Sequence, residues 1–595
     1  MRTPSLLRRL ARTRDEGFAL PTVVGIAAVL LLVVATSLAV TTSGLKKSVT
    51  DEDWNGALAA AYAGIEEYQS RLSDDSTYVR YGNPSAAFSV SSSSLTLPTG
   101  ANVNPAFGIT AGGTWASVPG STTGASFRYE IDNSRYATTG TLRIRSTGRV
   151  GDATRTIVAD LRQSGFLDFL YYTQYEVIDP SISGNSSCNK HWYDPGSTRP
   201  SSCDIQFGTF DVLNGAVHSN DRLVVCGATF RGKVTSANPK TPIAYVPSGC
   251  SAATYEVGTG VSYSKPIDPP PTNSEMKKET RSDLPADVPR PGCMYTGPTQ
   301  ITFLSNGKMN VISPFTKVTQ PNGSGGGLTP AMCGSISDLK SSSGATIDTI
   351  PQNLVYVQNV PTSSSDPNYW PTSGSSSKQW PSGFSCSNKG SSSEGWSFGS
   401  ARYPMSGEST PNTSSSSTPA YGCRNGDAYV SGSLKGQITV ATENYIYAVD
   451  DIVYADDSAV LGLVGNNAVW IWNPVGQSCS WYSCSTVNLL SEDGGGREID
   501  AAIMSVAHTV MVQNYNVGSA RGTLKIVGAL AQNYRGTVAT SSGGGVATGF
   551  SKDYNYDPRF KYTAPPKFLT PVSTSYGITQ FANVPAAFAA DGSPS

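Results

Sequence analysis

Charge is scarce in this chain, and the little that is present nearly balances. Only 15% of its 595 residues are charged, and the net charge is −1 at pH 7. Such a chain has no broad electrostatic field to attract nucleic acid, so we expect no nucleic-acid partner. Glycine and proline are plentiful, with 60 and 38 residues. This composition favours a turn-rich β protein, and the length predicts two or three domains.

Histidine and closely spaced cysteines are also scarce. The chain has three histidines and no Cys-x-x-Cys pair, so we expect no zinc site and no other metal or cofactor. It has ten cysteines, an even number. We predict disulfides in a domain outside the cytoplasm; their pairing stays open, and buried free thiols are the alternative. The disulfide candidates are Cys188, Cys203, Cys226, Cys250, Cys293, Cys333, Cys386, Cys423, Cys479 and Cys484.

One stretch near the N-terminus lacks charge altogether. Residues 18–40 are long enough to cross a hydrocarbon layer of about 30 Å as a helix. Five arginines precede this stretch and would hold that end on the cytoplasmic side. Helical spacing of apolar residues continues to residue 72, which predicts one helix over residues 18–72 with residues 18–40 as its transmembrane part. A cleaved secretory signal is the alternative, but its apolar core is shorter, about 7–15 residues.

The stretch "DEGFALPTVVGIAAVLLLVV", residues 15–34, resembles the processing site of type IV prepilins. A short basic leader ends at Gly17, and Phe18 begins an apolar run that continues as a helix beyond the membrane. In that family a membrane peptidase cuts after the glycine and methylates the new N-terminus. The resemblance implies a leader of residues 1–17, cleavage between Gly17 and Phe18 by a prepilin peptidase, and N-methylation of Phe18. It also implies other pilin subunits as partners of the helix.

One position departs from the usual pattern of that family. Most pilins carry a glutamate at the fifth mature position, thought to pair with the N-terminal amine of a neighbouring subunit; here Thr22 stands there. A buried carboxylate without a partner is costly, and a subunit at the filament tip has no neighbour ahead to supply one. The chain is similar in this respect to minor pilins of the PilX kind and to the tip pseudopilin of type II secretion. This similarity implies a minor or tip subunit; loss of function at Thr22 is the alternative.

Beyond the helix, the chain has β patterns in two regions. Residues 73–165 predict a small antiparallel sheet on the outer half of the helix, the α+β arrangement of a pilin module. Residues 166–595 predict a large all-β domain of short strands and turns. Two similar runs start 42 residues apart, at Ala459 and Ala501, which we interpret as two turns of a solenoid with coils of roughly 20 residues. We therefore predict a parallel β-helix, with a β-sandwich with long loops as the alternative.

Three segments interrupt or follow this β pattern. Residues 265–292 are rich in proline and charge, which predicts an extended crossing or linker. Residues 361–422 are rich in serine and long for a bare loop, so we expect Cys386 and Cys423 to hold them down. Residues 554–572 are rich in aromatics and proline and should lie across the outside or end of the β domain. Together with "GALAQNYRGTV" and "YDPRF", the stretch "NGAVHSNDRLVVCG" is similar to outer domains of large actinobacterial prepilin-type proteins, which implies an architecture and no catalysis.

Few residues could carry chemistry. His218, Ser219 and Asp221 are too close in sequence for a hydrolase triad and suit a turn between β-coils. His508 lies in an alternating strand, where we expect a structural role. The glycines at residues 494–496 lead into no phosphate-binding strand and helix, so nucleotide binding is not expected.

Two acidic pairs and a set of tryptophans are the remaining features. The acidic pairs suit calcium, but solvated turns are the favoured interpretation. The tryptophans suit stacking on sugar rings or a partner, but covering the apolar flank of the β domain is favoured. The acidic pairs are Asp450–Asp451 and Asp456–Asp457, and the tryptophans are Trp370, Trp380 and Trp396.

These features predict a prepilin-like minor or tip subunit of a type IV pilus or related filament. Its extracellular β domain would serve adhesion or filament initiation, with a surface glycan or host ligand as partner, and we expect no enzyme activity. Before assembly it would cross the inner (cytoplasmic) membrane once with a cytoplasmic N-terminus; afterwards it would lie in an extracellular filament or at the cell surface. The alternative is a membrane-anchored surface β-helix protein that binds or cleaves polysaccharide.

Overall fold

The structure is a computed structural model that describes residues 19–92, 95–100, 103–108, 115–136, 141–163, 165–196, 199–390, 394–409, 418–480, 483–490, 495–542, 544–572 and 576–595. These residues form two compact units. The first unit takes those within Met1–Ala137, Thr141–Arg162 and Ser575–Ser595, and the second those within Thr138–Gly140 and Gln163–Thr574. The outer domain predicted over residues 166–595 therefore differs at its end, because residues 575–595 group with the first unit.

The first unit begins with one long helix, α1 (Ala19–Asp74). The predicted continuous N-terminal helix is confirmed. Within the described residues, α1 contains the single stretch that is long and apolar enough to cross a membrane. Its hydroxyls bond within the helix: Thr36 Oγ1 donates to Leu32 O at 2.8 Å. Such bonding suits a helix surrounded by lipid or by apolar side chains, because little polar hydrogen-bonding capacity is left over.

The second half of α1 packs on a small antiparallel sheet, as predicted. Four neighbouring strands pair antiparallel in chain order, and a fifth strand from the C-terminus lies beside the fourth. The strands are Ala116–Ser117, Ser126–Asp132, Thr141–Val150, Ala153–Gln163 and Tyr576–Val584, and the short 3-10 helices are Ser76–Arg80, Ala87–Ser89 and Pro105–Phe107.

Small side chains let this sheet approach the helix closely. The buried positions of α1 recur every three or four residues and include Ala57, Ala61 and Ile65. Strand Thr141–Val150 crosses them at Gly148, where a Cβ atom would lie 2.1 Å from Ala57 O and 2.2 Å from Ala61 N. Glycine is therefore required by the contact between strand and helix backbones.

We expect Gly148→Ala to lower the free energy of unfolding of the first unit by at least about 1–3 kcal/mol, because the added methyl group overpacks a backbone contact. Gly44→Ala is the matched control, since a Cβ there meets nothing within 4 Å and helix propensity should improve. Thermal unfolding of both variants measures the effect. Equal melting temperatures for the two variants would contradict this packing.

The second unit is dominated by a 22-stranded sheet in which most neighbouring strands pair in parallel. Its first ladder contains ten rungs, each paired in parallel with the next. In spatial order they are Cys293–Thr296, Asn353–Gln358, Gln437–Thr442, Val460–Gly465, Arg497–Ser505, Ala520–Tyr534, Tyr171–Tyr175, Val217–Ser219, Val234–Ser236 and Ser262–Tyr263.

Identical register along this ladder stacks apolar side chains into a buried column. Each member is paired with the next in the adjoining rung, and all belong to one core cluster. The column is Cys293, Val355, Val440, Leu463, Ile503, Leu530, Tyr171, Val217 and Val234. A shift of one residue in any rung would turn a large apolar side chain out of the core, so the column fixes the register.

Two further parallel ladders share the longer strands. The second runs through Thr299–Leu304, Ala428–Leu434, Ile446–Tyr454, Arg497–Ser505, Ala520–Tyr534, Gly545–Tyr556, Val212–Asn214, Thr229–Phe230 and Thr254–Tyr255. The third runs through Thr299–Leu304, Ala428–Leu434, Ile446–Tyr454, Val469–Ile471 and Val510–Val512. A separate parallel set contains Gln206–Phe207, Leu223–Val225 and Ala244–Tyr245.

The remaining elements are hairpins and short helices. The antiparallel strands are Lys308–Ile312, Ala345–Asp348, Gln320–Pro321, Gly327–Leu328, Phe384–Ser387, Gly395–Phe398, Ala401–Tyr403, Val475–Cys479, Cys484–Asn488 and Ala539–Ser542. The α-helices are Pro180–Ser183, Ile336–Leu339 and Ser376–Gln379, and the 3-10 helices are Phe166–Asp168, Ser186–Cys188, Ser201–Cys203, Ser274–Thr280, Ala331–Cys333 and Pro558–Lys561.

The interpretation of the 42-residue spacing as two turns is wrong. Gly462 pairs directly with Ala502, so the two similar runs are adjacent rungs of one ladder. The described residues between the two runs include the hairpin of Val475–Cys479 and Cys484–Asn488, which pairs outside the large sheet. Insertions of variable length therefore conceal the true repeat.

All ten cysteines form disulfides between neighbours in the sequence. The predicted use of the cysteines is confirmed, and the pairing that spacing left open is now defined. Cys386–Cys423 closes the serine-rich segment, as expected. The pairs are Cys188–Cys203, Cys226–Cys250, Cys293–Cys333, Cys386–Cys423 and Cys479–Cys484.

Residues 265–292, here called the crossing segment, connect opposite ends of the first ladder. The rung before them, Ser262–Tyr263, is at one end, and the rung after them, Cys293–Thr296, is at the other. Ile267 and Met276 of the crossing segment pack on outward-facing apolar side chains of the ladder. The predicted crossing thus covers a face of the sheet, but it is not extended throughout, because it contains the 3-10 helix Ser274–Thr280.

The C-terminal aromatic and proline-rich stretch covers the same sheet further along. Phe560 packs with Val460, Ala502 and Ala529, which face outward from three successive rungs. Phe560 therefore has the predicted position on the outside of the β domain, whereas residues 554–556 end the rung Gly545–Tyr556, and Tyr554 lies in the inner core.

Tyr171–Tyr175 comes first in the sequence among the strands of the first ladder, but it lies in the middle of that ladder. It therefore pairs with Ala520–Tyr534, which is far away in the sequence, and we call this junction the seam. Ion pairs cross this seam. Arg535 donates to Glu176 at 2.9 Å with both side chains buried, and Lys552 lies 2.9 Å from Asp211. Apolar rungs resemble one another and could pair in several orders, whereas a buried charged side chain is stable only beside an oppositely charged one. We therefore expect these pairs to favour the native seam over other strand pairings.

We expect Glu176→Gln to lower the free energy of unfolding of the second unit by about 3–5 kcal/mol, because it leaves the buried Arg535 guanidinium without its carboxylate. The control is Asp348→Asn, which breaks an exposed pair with Lys308 at 2.7 Å and should cost less than about 1 kcal/mol. Urea unfolding compares the two. The seam argument fails if both variants lose the same stability.

Candidate functional site

The first half of α1 is apolar on every side and uncovered. Every residue from Leu20 to Val40 is exposed. Twelve large apolar side chains in this stretch are at least 53% exposed. A helix that is apolar all round belongs in a lipid bilayer or among other apolar helices. We call residues 20–40 the bare half of α1.

Covering the bare half releases a large free energy. Full burial of a Val, Leu or Ile side chain is worth about 1.5–3 kcal/mol, so covering twelve of them gives on the order of 20–40 kcal/mol before entropic costs. This magnitude far exceeds the stability of a typical domain, about 5–15 kcal/mol. The bare half therefore requires an apolar environment that covers it, and it is able to anchor the chain in a membrane.

Of the predicted processing and assembly residues, only Thr22 is among the described residues. Gly17 and Phe18 are outside the described residues, so their predicted cleavage and methylation remain predictions. Thr22 lies in the first turns of α1 and is exposed with the apolar side chains around it.

His218, Ser219 and Asp221 lie near one another but form no catalytic relay. His218 is fully buried, with Nδ1 at 2.8 Å from Thr235 Oγ1 and Nε2 at 2.9 Å from Asn220 Oδ1. Burial lowers the pKa of His218 to about 4, which keeps the ring neutral. The carboxylate of Asp221 accepts the backbone N–H of Trp192 at 2.8 Å. These side chains satisfy a turn between strands.

His508 belongs to a second polar cluster. Its Nδ1 lies 2.8 Å from Asp179 Oδ2 and 3.0 Å from Ser181 Oγ. Because the serine and the aspartate face the same ring nitrogen, the histidine cannot pass a proton from one to the other through its two nitrogens. His508 lies in the bend between Arg497–Ser505 and Val510–Val512, so its predicted place in a strand is wrong. The cluster joins this bend to the short helix Pro180–Ser183.

The acidic pairs do not converge on a cation site. Asp451 accepts the backbone N–H of Glu498 at 2.9 Å, and Asp456 accepts that of Ser458 at 3.0 Å. In the described part of the chain, the single group with metal-ligand geometry is Cys386, Glu394 and Cys423. Both of its sulfur atoms are committed to a disulfide, so it does not fit a metal ion.

The tryptophans form a cover over the third ladder, as the favoured interpretation predicts. Trp396 donates to Tyr429 OH at 3.0 Å, and Trp370 donates to Phe315 O at 2.7 Å. Trp380 stacks on the ring of Phe384 with centroids 5.8 Å apart. All three pack in one aromatic cluster with outward-facing ladder side chains.

The glycine run at residues 494–496 is described in part. Gly494 lies outside the described residues. Gly496 packs so closely on the neighbouring strand that a Cβ atom there would lie 2.1 Å from the carbonyl oxygen of Thr523. Glycine at residue 496 therefore serves backbone packing within the ladder.

The sequence gives no sign of two carboxyl groups beneath the aromatic cover, the half-buried Glu408 and the buried Asp427. Burial raises the pKa of Glu408 to about 7, while its Oε1 accepts from Tyr421 OH. Burial raises the pKa of Asp427 to about 8; Oδ1 accepts the backbone N–H of Tyr445 at 3.1 Å. Asp427 Oδ2 has no hydrogen-bond partner among the described residues. Local sequence gives no signal for either group, because their burial comes from distant segments.

The protonated form of Asp427 should make stability depend on pH. Its folded pKa of about 8 exceeds the ordinary value of about 4 in unfolded chains, so stability should fall as pH rises from about 4 to about 8. The slope from one such group reaches about 1.4 kcal/mol per pH unit. We expect Asp427→Asn to remove this component, as measured by urea unfolding at about pH 5 and about pH 8, on either side of most of this change. Identical pH dependence of variant and natural protein would contradict it.

Comparison with known proteins adds a distant structural likeness. No protein-family model matches the chain, and no curated protein matches it. Among solved structures, the competence-associated pilin ComZ from Thermus thermophilus is similar, with 12% identity, a TM-score of 0.25, and coverage of 89% of this chain and 98% of that chain. A TM-score this low does not define a common fold, so the functional conclusion rests on the residues described above.

Proposed function

We propose that this chain is a prepilin-like minor or tip subunit of a type IV pilus or related filament. One observation carries the proposal: α1 is a single helix whose first half is apolar and bare while its second half is packed on a small sheet. The bare half rests in the membrane before assembly and packs against the helices of other pilin subunits afterwards. The second half holds the folded unit at the surface of such a helix bundle.

The N-terminal processing belongs to the same proposal. A prepilin peptidase cuts between Gly17 and Phe18 and methylates Phe18. Removal of the leader takes away its arginines and leaves the apolar run in place. Before cleavage those arginines hold the N-terminus on the cytoplasmic side. After assembly, the second unit lies outside the cell or at its surface.

Thr22 supports a minor or tip position. A glutamate at this place needs an N-terminal amine from a neighbouring subunit, whereas a threonine hydroxyl bonds within its own helix turn and needs no neighbour. A subunit with nothing ahead of it therefore loses nothing by carrying threonine.

We infer that the second unit is a parallel β-helix displayed for adhesion or filament initiation. Three parallel ladders with shared strands, and one column of nine stacked apolar side chains, support this architecture. A β-sandwich is built from antiparallel sheets, so the parallel pairing weighs against that alternative. Five disulfides brace the unit for use outside the cell. In this proposal the unit binds a partner and performs no catalysis.

Restoring the usual carboxylate provides a test of the filament role. We expect Thr22→Glu to increase the amount of this subunit in sheared filaments relative to the cell-bound fraction, because a carboxylate there pairs with the amine of the next subunit. Immunoblots of the two fractions measure the ratio.

Thr36→Glu is the matched control, since it places the same carboxylate elsewhere on the bare half. It should lower incorporation, because no amine lies opposite it. If Thr22→Glu leaves incorporation unchanged or lowers it as Thr36→Glu does, the tip-or-minor proposal is wrong.

A further inference from the structure

A polar cleft of about 630 Å³ lies on the outside of the second unit. Its walls are the crossing segment, the turns that follow Asn353–Gln358, Gln437–Thr442 and Val460–Gly465, and the chain just before Ala428–Leu434. Six asparagines from these separate passes of the chain converge on it. They are Asn273, Asn359, Asn425, Asn444, Asn466 and Asn467.

Hydrogen bonds with the protein orient these side-chain amides but leave some of their hydrogen-bonding groups free for a ligand. Asn466 Oδ1 accepts from Thr272 Oγ1 and from the backbone N–H of Asn273, both at 3.0 Å. Asn359 Oδ1 accepts the backbone N–H of Gly426 at 2.7 Å. Across the described ranges, the side-chain amide nitrogens of Asn466 and Asn359 have no protein acceptor. Each is thus an oriented donor at the cleft wall.

The cleft also carries an excess of positive charge. Lys277 has no ion pair with any residue that the structure describes. The guanidinium of Arg424 donates to the backbone carbonyls of Trp370 and Pro371, at 2.6 and 3.2 Å, and faces no carboxylate within the described ranges. Glu443 is the acidic residue of the lining. Two cations against one carboxylate favour an anionic ligand.

A second cleft of about 390 Å³ adjoins the first and shares Ser274 and Lys277 with it. It adds Gln358, which is fully buried and whose Oε1 has no partner among the described residues. An unsatisfied buried acceptor of this kind is costly unless a ligand or water donates to it. The two clefts together form a groove along the crossing segment, here called the asparagine groove.

We propose that the asparagine groove binds an acidic oligosaccharide. Amide groups donate and accept at once, which matches sugar hydroxyls, and Lys277 matches a carboxylate on the sugar chain. Successive rungs are about 4.7–4.9 Å apart, and Asn359 and Asn466 follow rungs that are separated by one other rung, so these two donors can meet different units of one sugar chain. Among the described residues, the first cleft is lined mainly by polar side chains, which disfavours a lipid. The aromatic residue in the described lining of the two clefts is Tyr356, which is only 1% exposed and therefore offers no face on which the bases of single-stranded nucleic acid could stack.

This inference names a class of ligand for the adhesive role proposed above, and the biological role of the binding rests on that proposed function. The binding itself depends on the groove alone. A loss of binding therefore leaves filament incorporation untouched, and a failure of incorporation leaves binding intact, so the two proposals fail separately.

The test uses the purified full chain in detergent micelles and isothermal titration with a hexamer of galacturonate. We expect measurable binding of this acidic probe, and binding of neutral maltohexaose or of a single-stranded DNA hexamer to be at least about fivefold weaker. Lys277→Gln should weaken the acidic probe about fivefold or more, and Lys277→Glu further.

The matched controls are Lys240→Gln and Lys240→Glu, which make the same changes at an exposed lysine outside both clefts. They should leave affinity within about twofold. Absence of binding, equal binding of the neutral probe or the DNA, or equal effects at Lys240 and Lys277 would each overturn the proposal.

Discussion

The bare half of α1 is the constraint on which the rest of the molecule depends. Its apolar side chains project in every direction, so no single protein face can cover them. A bilayer covers such a helix completely, and so does a bundle of similar helices. The second half of the same helix carries a packed sheet, which fixes one end outside any such environment. This division makes the helix suited both to anchor the chain and to be transferred into an assembly.

The second unit is organised differently, because the register between its paired strands determines which side chains form its core. Each rung repeats the inward apolar position of the one before, and the column passes through nine rungs without a break. Because the rungs resemble one another in this way, they could in principle pair in more than one order. The buried Glu176–Arg535 pair distinguishes the native closure, since charge cannot be buried against an apolar rung without a large cost. The crossing segment, the C-terminal stretch and the aromatic cover then shield the outward faces of the ladders.

The sequence predicts best those features whose signal is local. The charge-free run predicts the helix, alternation predicts the small sheet, and cysteine number predicts disulfides. It does not reveal that Tyr576–Val584 returns to the small sheet, because strand pairing across hundreds of residues leaves no local pattern. The 42-residue spacing is also misleading, because the hairpin of Val475–Cys479 and Cys484–Asn488 lengthens one turn of the chain until it resembles two. The asparagine groove is assembled from separate passes of the chain, and asparagines in turns carry no distinguishing signal of their own.

The mature N-terminus tests the central claim most directly. Mass spectrometry of the protein isolated from cells should show a chain that begins at Phe18, with a methyl group on its amine. That result would leave the bare half intact and ready to move from lipid into a helix bundle. A chain that still carries residues 1–17, or one that begins beyond Ala39, would contradict the account, because the first keeps the charged leader and the second removes the bare half.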